Sequence, residues 1–318
     1  MQSRRDFGKA ILASLTASTL PILTSWGAAH IDSTFRGVKL GIITGSLNPI
    51  PQNPGTDVID TVIQECLQLQ AGNVELVNTL LEPDYPGLNH RGGQVPDQIT
   101  PEYTTDRQKL RDWRLGLHLD RFEEVRKKFS DAGLNLFSYV MTFSDDASDP
   151  EIDAVFKQMK ALGVGIFTTN QTRVDMGERI KPFAEKYKIK PSWHTHAMVG
   201  DPNEVATPES LQKLLDMSPE FVVNLDIGHF TAGNNDAVAY IKEHHARITH
   251  IHVKDRKRDN GPNVAWGTGD TPIVQCLQLI RDNHYPIYCI VEREFKGTGT
   301  PVEETQKDIE YMKHALSA

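Results

Sequence analysis

Cysteine is scarce in this chain: Cys66, Cys276 and Cys289 are the only three among 318 residues. They are too few and too far apart to read as a zinc cluster. Cys66 and Cys276 fall in helical patterns and Cys289 in an apolar strand, so buried thiols are expected, with a disulfide left open by sequence. No glycine-rich phosphate loop follows the first apolar strand, which argues against a doubly wound nucleotide-binding sheet. Hairpin signals and low-complexity segments are missing as well. Positive charge is short too, with 34 Lys and Arg against 42 Asp and Glu and a net charge of −8. Nucleic-acid binding relies on clustered cations, and runs such as Lys254-Asp255-Arg256-Lys257-Arg258 are brief. A nucleic-acid partner is not expected.

What is present begins with a leader. Ser3-Arg4-Arg5-Asp6-Phe7-Gly8-Lys9 is a twin-arginine pattern, followed by a mostly apolar stretch from Ala10 to about Trp26 and by Gly27, Ala28 and Ala29. A basic start, an apolar run and small residues describe a signal peptide over residues 1–29, here of the Tat type. The expectation is an exported, periplasmic protein without stable membrane insertion once the leader is removed. Arg4, Arg5 and Lys9 against Asp6 give the leader +2, so its removal takes the charge to −10. The remaining residues 30–318 fit one barrel-sized domain. Assembly into a homo-oligomer is open.

Over that stretch, β-rich apolar runs alternate with amphipathic helices. The strands read are Val38–Ser46, Asn73–Asn78, Asn135–Thr142, Val164–Asn170, Lys190–His196, Phe221–His229, Ile248–Lys254 and Pro286–Glu294. Helical spacing recurs at Val58, Val62 and Cys66, at Phe122, Val125 and Phe129, and at Ile309, Met312 and Leu316. Thr207-Pro208-Glu209 makes a good helix start. Eight strands each followed by a helix predict a (β/α)₈ TIM barrel, a single α/β domain. The long connections, about Thr79 to Gly116 and Asp255 to Asp270, follow strands 2 and 7. They therefore fall on the face where barrel enzymes work.

Polar residues crowd the strand ends. Strand 5 ends Trp193-His194-Thr195-His196, strand 6 Asn224-Leu225-Asp226-Ile227-Gly228-His229, strand 7 His250-Ile251-His252-Val253-Lys254-Asp255 and strand 8 Val291-Glu292-Arg293-Glu294. Residues two apart share a face, so His194 with His196, His250 with His252 and Lys254, and Glu292 with Glu294 are expected to point together. Unpartnered imidazole and carboxylate groups inside a barrel would cost several kcal/mol, roughly, in desolvation. One divalent cation satisfies several of them at once. Carboxylate and imidazole ligands suit Mn²⁺, the first choice, or Co²⁺, Fe²⁺ or Zn²⁺, with Mg²⁺ less favoured. Asn170 and Arg173 after strand 4 are candidates to bind a polyol, or else cap a loop. Glu75 on strand 2 points toward substrate or pairs with a barrel arginine. Arg256, Lys257 and Arg258 read as a solvated loop.

At these residues the chain resembles the sugar phosphate isomerase/epimerase family of xylose isomerase-like TIM barrels. Leu225-Asp226-Ile227-Gly228-His229, His250-Ile251-His252-Val253-Lys254-Asp255, Gly267-Thr268-Gly269-Asp270 with Pro272, and Val291-Glu292 carry the resemblance. It implies that Asp226, His252 and Glu292 hold a metal and that His229 meets a small carbohydrate substrate. Many epimerases of the family place a fourth ligand and acid/base glutamate on strand 5, where this chain has His194 in a His-Thr-His pattern. The resemblance thus keeps a metal held by Asp226, His252 and Glu292 with His194, or else His196, from strand 5, but loosens the two-carboxylate mechanism.

The expected chemistry is metal-assisted isomerisation or epimerisation of a free sugar or keto-sugar through an enediolate. Elimination from a 3-keto-glycoside or inosose ranks close behind. Glu292 and His196 are candidates to move the proton. Lys254 either stabilises developing negative charge or pairs with Asp255 or Asp226. A nuclease would require a basic groove and further ligands. A non-catalytic sugar-binding protein is the non-enzyme alternative.

Overall fold

A computed structural model describes residues 30–51, 54–88, 95–96 and 98–318. The leader read from residues 1–29 lies outside them. Eight parallel strands form the barrel: β1 (Val38–Ile43), β2 (Asn73–Val77), β3 (Asn135–Met141), β4 (Ile166–Thr169), β5 (Lys190–His194), β6 (Val222–Asp226), β7 (Ile248–Val253) and β8 (Tyr288–Val291). Each pairs with the next, and β8 pairs back with β1 through Lys39 with Tyr288 to Ile42 with Val291, so the sheet closes. A two-residue strand, Thr34–Phe35, adds antiparallel to β1. The predicted barrel is present, though several strands stop earlier than the apolar runs suggested.

Ten helices follow in chain order among the described residues: α1 (Val58–Leu69), α2 (Pro101–Leu115), α3 (Leu119–Asp131), α4 (Asp149–Leu162), α5 (Gly177–Tyr187), α6 (Pro208–Met217), α7 (Ile227–Ala232), α8 (Ala237–His244), α9 (Ile273–Asp282) and α10 (Pro301–Ser317). Their starts are written in the sequence. Thr207 and Ser210 form a reciprocal capping box at α6, and Thr300 and Glu303 do the same at α10, each followed by proline at the first helical position. Helices α3 and α4 bury an apolar face in the core around the barrel, where Phe122, Val125, Phe129, Ile152, Val155, Phe156 and Met159 are all buried. The three cysteines are buried and free. No helix of the described residues is long and apolar enough to cross a membrane.

Two departures shape the site. The stretch from Thr79 to Gly116, expected as an open loop, contains α2. That helix lacks an apolar stripe because it buries charge: Asp106, Arg107 and Arg114 all lie inside. Glu151 in the first turn of α4 accepts from Arg107 at 2.9 and 2.7 Å and from Arg114 at 2.9 Å, and Arg114 also bonds Glu82 at 2.7 and 3.0 Å. Periodicity of apolar residues cannot report a helix docked by ion pairs. Strand 6, read as running to His229, ends at Asp226, whose carboxylate accepts from the His229 amide at 2.7 Å and starts α7.

The Asp255–Asp270 loop is held from within. Asp255 accepts from the amides of Gly267 and Gly269, each at 2.8 Å, and from Thr271 at 3.2 Å. A Cβ on Gly269 would lie 1.9 Å from Asp255 Oδ1, so only glycine lets that carboxylate approach.

Candidate active site

Strand register brings the polar residues to one end of the barrel. His194 pairs with Asn224, and Asp226 with His252, across adjacent strands. Glu292 follows the last residue of β8 directly. One ligand atom from each of His194, Asp226, His252 and Glu292 falls within 4.8 Å of every other. His194 Nε2 lies 3.1 Å from His252 Nδ1, 3.5 Å from Asp226 Oδ2 and 3.7 Å from Glu292 Oε2. His252 Nδ1 is 3.0 Å from Glu292 Oε2. Two imidazole nitrogens and two carboxylate oxygens thus face one point from four strands.

The donor set fits a divalent cation. Asp226 Oδ2 is buried without a directed hydrogen bond, although the Lys254 ammonium stands 3.0 Å away. Leaving a carboxylate oxygen so placed is costly unless something cationic completes the site. Burial opposes the charged form of His252, yet Glu292 and Glu75 outweigh it and lift the ring to about 10. Burial likewise opposes ionisation of Glu292, but Lys254 and His252 hold it well below the usual carboxylate range. Protonated His252 and Lys254 thus supply the positive charge around these carboxylates, and a metal ion would displace the imidazole proton.

Glu75 departs from expectation. It does not reach a substrate or an arginine but lies beneath the cluster, 0% exposed. Its Oε2 is 2.5 Å from His252 Nε2, and its Oε1 receives Ser138 Oγ at 3.0 Å and His250 Nε2 at 3.1 Å, with Thr168 Oγ1 bonded as well. The register that pairs Glu75 with Ile43 and Ser138 sets it a layer too low for the pocket. Glu75, His250 and His252 also form a close group of metal-binding types, but the carboxylate is already saturated with donors. Its consequence is tautomeric: Nε2 of His252 donates to Glu75, which presents Nδ1 to the cluster. Glu75→Gln is expected to weaken divalent-metal affinity by about 10- to 100-fold in a chelator competition. An unchanged affinity would remove Glu75 from the metal site.

Lys254 Nζ contacts Glu292 at 2.7 Å, Glu294 at 2.8 Å and Asp226 at 3.0 Å, and these carboxylates push its pKa up despite burial. It is a permanent cation here, and Asp255 is not its partner. Gly228 makes room for it, since a Cβ there would sit 2.2 Å from Lys254 Cγ. His229, in the first turn of α7, is flanked by cations. Burial, then Lys254 and the neighbouring imidazoles, hold it well below the usual histidine range, so it is neutral. Arg256 approaches His229 Nδ1 and the Lys254 ammonium stands 3.1 Å from its Nε2, so both ring nitrogens face cations, with Asp226 Oδ2 3.8 Å from Nε2.

A cavity of about 480 Å³ opens beside the cluster, with His196, Glu204, His229 and Arg256 in its wall. His196 lies past the end of β5, yet its ring is 4.9 Å from that of His194 and 5.4 Å from that of His229. Its Nδ1 is 2.6 Å from Glu204 Oε1, a partner that sequence reading missed. Glu204 lies eight residues on in an irregular loop, where no spacing rule marks it. Asn170 and Arg173 do not line the cavity. Gln171 between them does, because its positive φ of 49° turns the chain there, and Arg173 is held by Asp201 at 3.1 and 3.3 Å. Arg256, read as a solvated loop residue, is buried in the site wall.

The profile of the family described as Xylose isomerase-like TIM barrel matches residues 160–315. The fold is a single-domain (β/α)₈ barrel. Curated relatives include an inosose dehydratase of Clostridium perfringens strain 13, 30% identical over 129 residues, which span 34% of this chain and 43% of that protein. An inosose dehydratase of Mesomycoplasma hyopneumoniae strain 7448 is 25% identical over 175 residues, 48% of this chain and 57% of that protein. The chain therefore spans about half the length of these relatives. Among solved structures, the IOLI protein with a binding zinc atom superposes at TM-score 0.59 and 16% identity, covering 88% of this chain and 98% of that one. A D-psicose 3-epimerase with D-tagatose from Clostridium cellulolyticum H10 gives 0.59 at 13% identity, covering 88% and 99%. At such identities the likeness establishes the barrel alone.

Proposed function

We propose that this barrel is a divalent-metal-dependent enzyme that removes a proton beside the carbonyl of a keto-sugar. The observation that carries the reading is the convergence of His194, Asp226, His252 and Glu292 on one point beside a cavity lined by His196 and His229. A divalent cation held there would polarise the carbonyl and acidify the neighbouring C–H. His196 donates its Nδ1 proton to Glu204, which leaves the Nε2 lone pair as general base. The C–H proton passes to Nε2 and its electron pair forms the C=C bond of an enediolate. Lys254 balances the developing negative charge, and neutral His229 lines the cavity where the substrate would lie.

From that intermediate, isomerisation or epimerisation returns a proton to carbon. Elimination breaks the β C–O bond instead, with the His196 proton going to the departing oxygen. Elimination is favoured here. The strand 5 carboxylate of a two-carboxylate epimerase is replaced by His194, and the acid–base pair outside the ligand set is His196 with Glu204. The inosose dehydratase relatives agree with this choice.

The test is incubation of the metal-loaded protein with inososes and 3-keto-glycosides in D₂O, followed by NMR. An unsaturated elimination product is expected. Deuterium uptake without elimination would make it an isomerase or epimerase, and neither signal from metal-replete protein would defeat the reading. His196→Ala is expected to lower turnover by on the order of 100- to 10,000-fold while bound metal stays constant. Sugars without phosphate suit an exported enzyme. Export itself is proposed from Arg4 and Arg5, whose joint replacement by lysine is expected to hold the protein in the cytoplasm on fractionation.

A further inference from the structure

The cavity has two unlike walls. One is polar and belongs to the reaction: His196 and His229 stand between the open volume and the metal ligands, none of which lines the cavity. The rest of the lining is mainly apolar, with Leu88, Val95, Pro96 and Tyr103 from the connection after β2 and Met198 from the one after β5, and Gln171 and Asn260 as polar exceptions. Met198 is 51% exposed. A methionine left half in solvent on the rim of a concave site marks a surface made to be covered, since exposed apolar patches around a pocket are characteristic of ligand contact. Methionine adapts to the shape of an apolar ligand and contacts aromatic rings favourably.

Charge narrows the ligand. Among the described residues, Arg256 is the only lysine or arginine in the cavity wall. Its guanidinium is committed: Nε and one terminal nitrogen bond Gly261 O at 3.1 and 2.6 Å, that same nitrogen reaches Asn260 Oδ1 at 3.3 Å, and the other bonds His229 Nδ1. Glu204 is likewise taken by His196. Among the described residues, a phosphate or carboxylate on the ligand would find no free cation in this wall, and desolvating it unpaired would be costly.

The volume sets the size. About 480 Å³ lies within the range that encloses a drug-sized ligand, and a sugar ring at the metal ligands lies past His196 and His229, at one end of it. Resting on the function proposed above, we infer that the substrate is a keto-sugar bearing an uncharged, mainly apolar substituent, a glycoside whose aglycone packs against Leu88, Pro96, Tyr103 and Met198. The sugar supplies the reacting carbons, and the aglycone supplies the affinity.

The experiment is calorimetric binding to metal-loaded protein carrying His196→Ala, which blocks turnover. The probes are methyl and phenyl 3-keto-β-D-glucoside, D-glucose and glucose 6-phosphate. The phenyl glycoside is expected to bind about 10- to 100-fold more tightly than the methyl, the gain from burying one aromatic ring. Met198→Asp, at an exposed site that does not endanger folding, is expected to shrink that ratio several-fold with methyl binding unchanged, and Tyr103→Ser to do the same. Equal binding of the two glycosides overturns the aglycone inference and leaves the metal–sugar reading standing. Tighter binding of glucose 6-phosphate than of glucose overturns it as well. If the metal-loaded protein binds none of the sugars, both fall together.

Discussion

His252→Ala is expected to strip the protein of its divalent ion, with affinity falling by on the order of 100-fold or more in a metal titration read by elemental analysis. Losing a group that only hydrogen-bonds a metal ligand costs about 10- to 100-fold, and a direct ligand contributes more. The argument rests on what His252 joins. Its Nδ1 is 3.1 Å from His194 Nε2 and 3.0 Å from Glu292 Oε2, while its Nε2 is anchored on Glu75. Alanine removes a ligand and also leaves Glu75 buried with one oxygen unpartnered. Glu292→Ala removes a ligand at the rim without disturbing Glu75, so it separates ligation from folding. It is expected to lose the metal to a similar degree with a native circular dichroism spectrum. Full metal retention by either variant would sink the assignment of the site. With both substitutions the loss should not be additive, since either alone already dismantles the set.

Glu151→Ala is expected to cost about 3–5 kcal/mol of stability by urea unfolding, the usual loss when one member of a buried ion-pair network is removed. Glu151 is 0% exposed and accepts from Arg107 and Arg114, with Arg111 at 3.4 Å. Burial opposes its ionisation, but Arg107 and Arg114 outweigh that and hold its carboxyl below the usual range. Removing it leaves two buried guanidinium groups each with one carboxylate, Asp146 for Arg107 and Glu82 for Arg114. Since Tyr103 lies on α2, the same substitution is expected to raise KM more than it lowers kcat. A loss below about 1 kcal/mol would show that α2 is held by packing and not by charge.

Much of the fold was legible in the chain. Alternation of β-rich runs with apolar stripes such as Phe122, Val125 and Phe129 fixed the order of strands and helices, because each face must be buried against the next layer. The cap Thr207 fixed a helix start, because its hydroxyl satisfies an amide of its own first turn. Where interactions cross the sequence, legibility failed. Helix α2 is fixed by ion pairs to Glu82 and Glu151, 32 and 37 residues away from Arg114. Strand ends were read too long because polar residues continue past the last pairing at His194, Asp226 and Val291.

The site divides in the same way. The sequence by itself pointed to the polar ends of four successive strands, since an imidazole or carboxylate inside a barrel demands a partner, and the family resemblance singled out Asp226, His252 and Glu292 with His194 or His196 beside them. It also determined that strand 5 offers imidazole where a carboxylate was the common alternative. Only the tertiary structure decided that Glu75 supports His252 from below, that Glu204 orients His196, that burial and Lys254 keep His229 neutral, and that Gln171 rather than Asn170 lines the cavity. Those facts depend on register and loop closure, which bring together residues as far apart as Glu75 and His252, and local pattern carries no record of such distances.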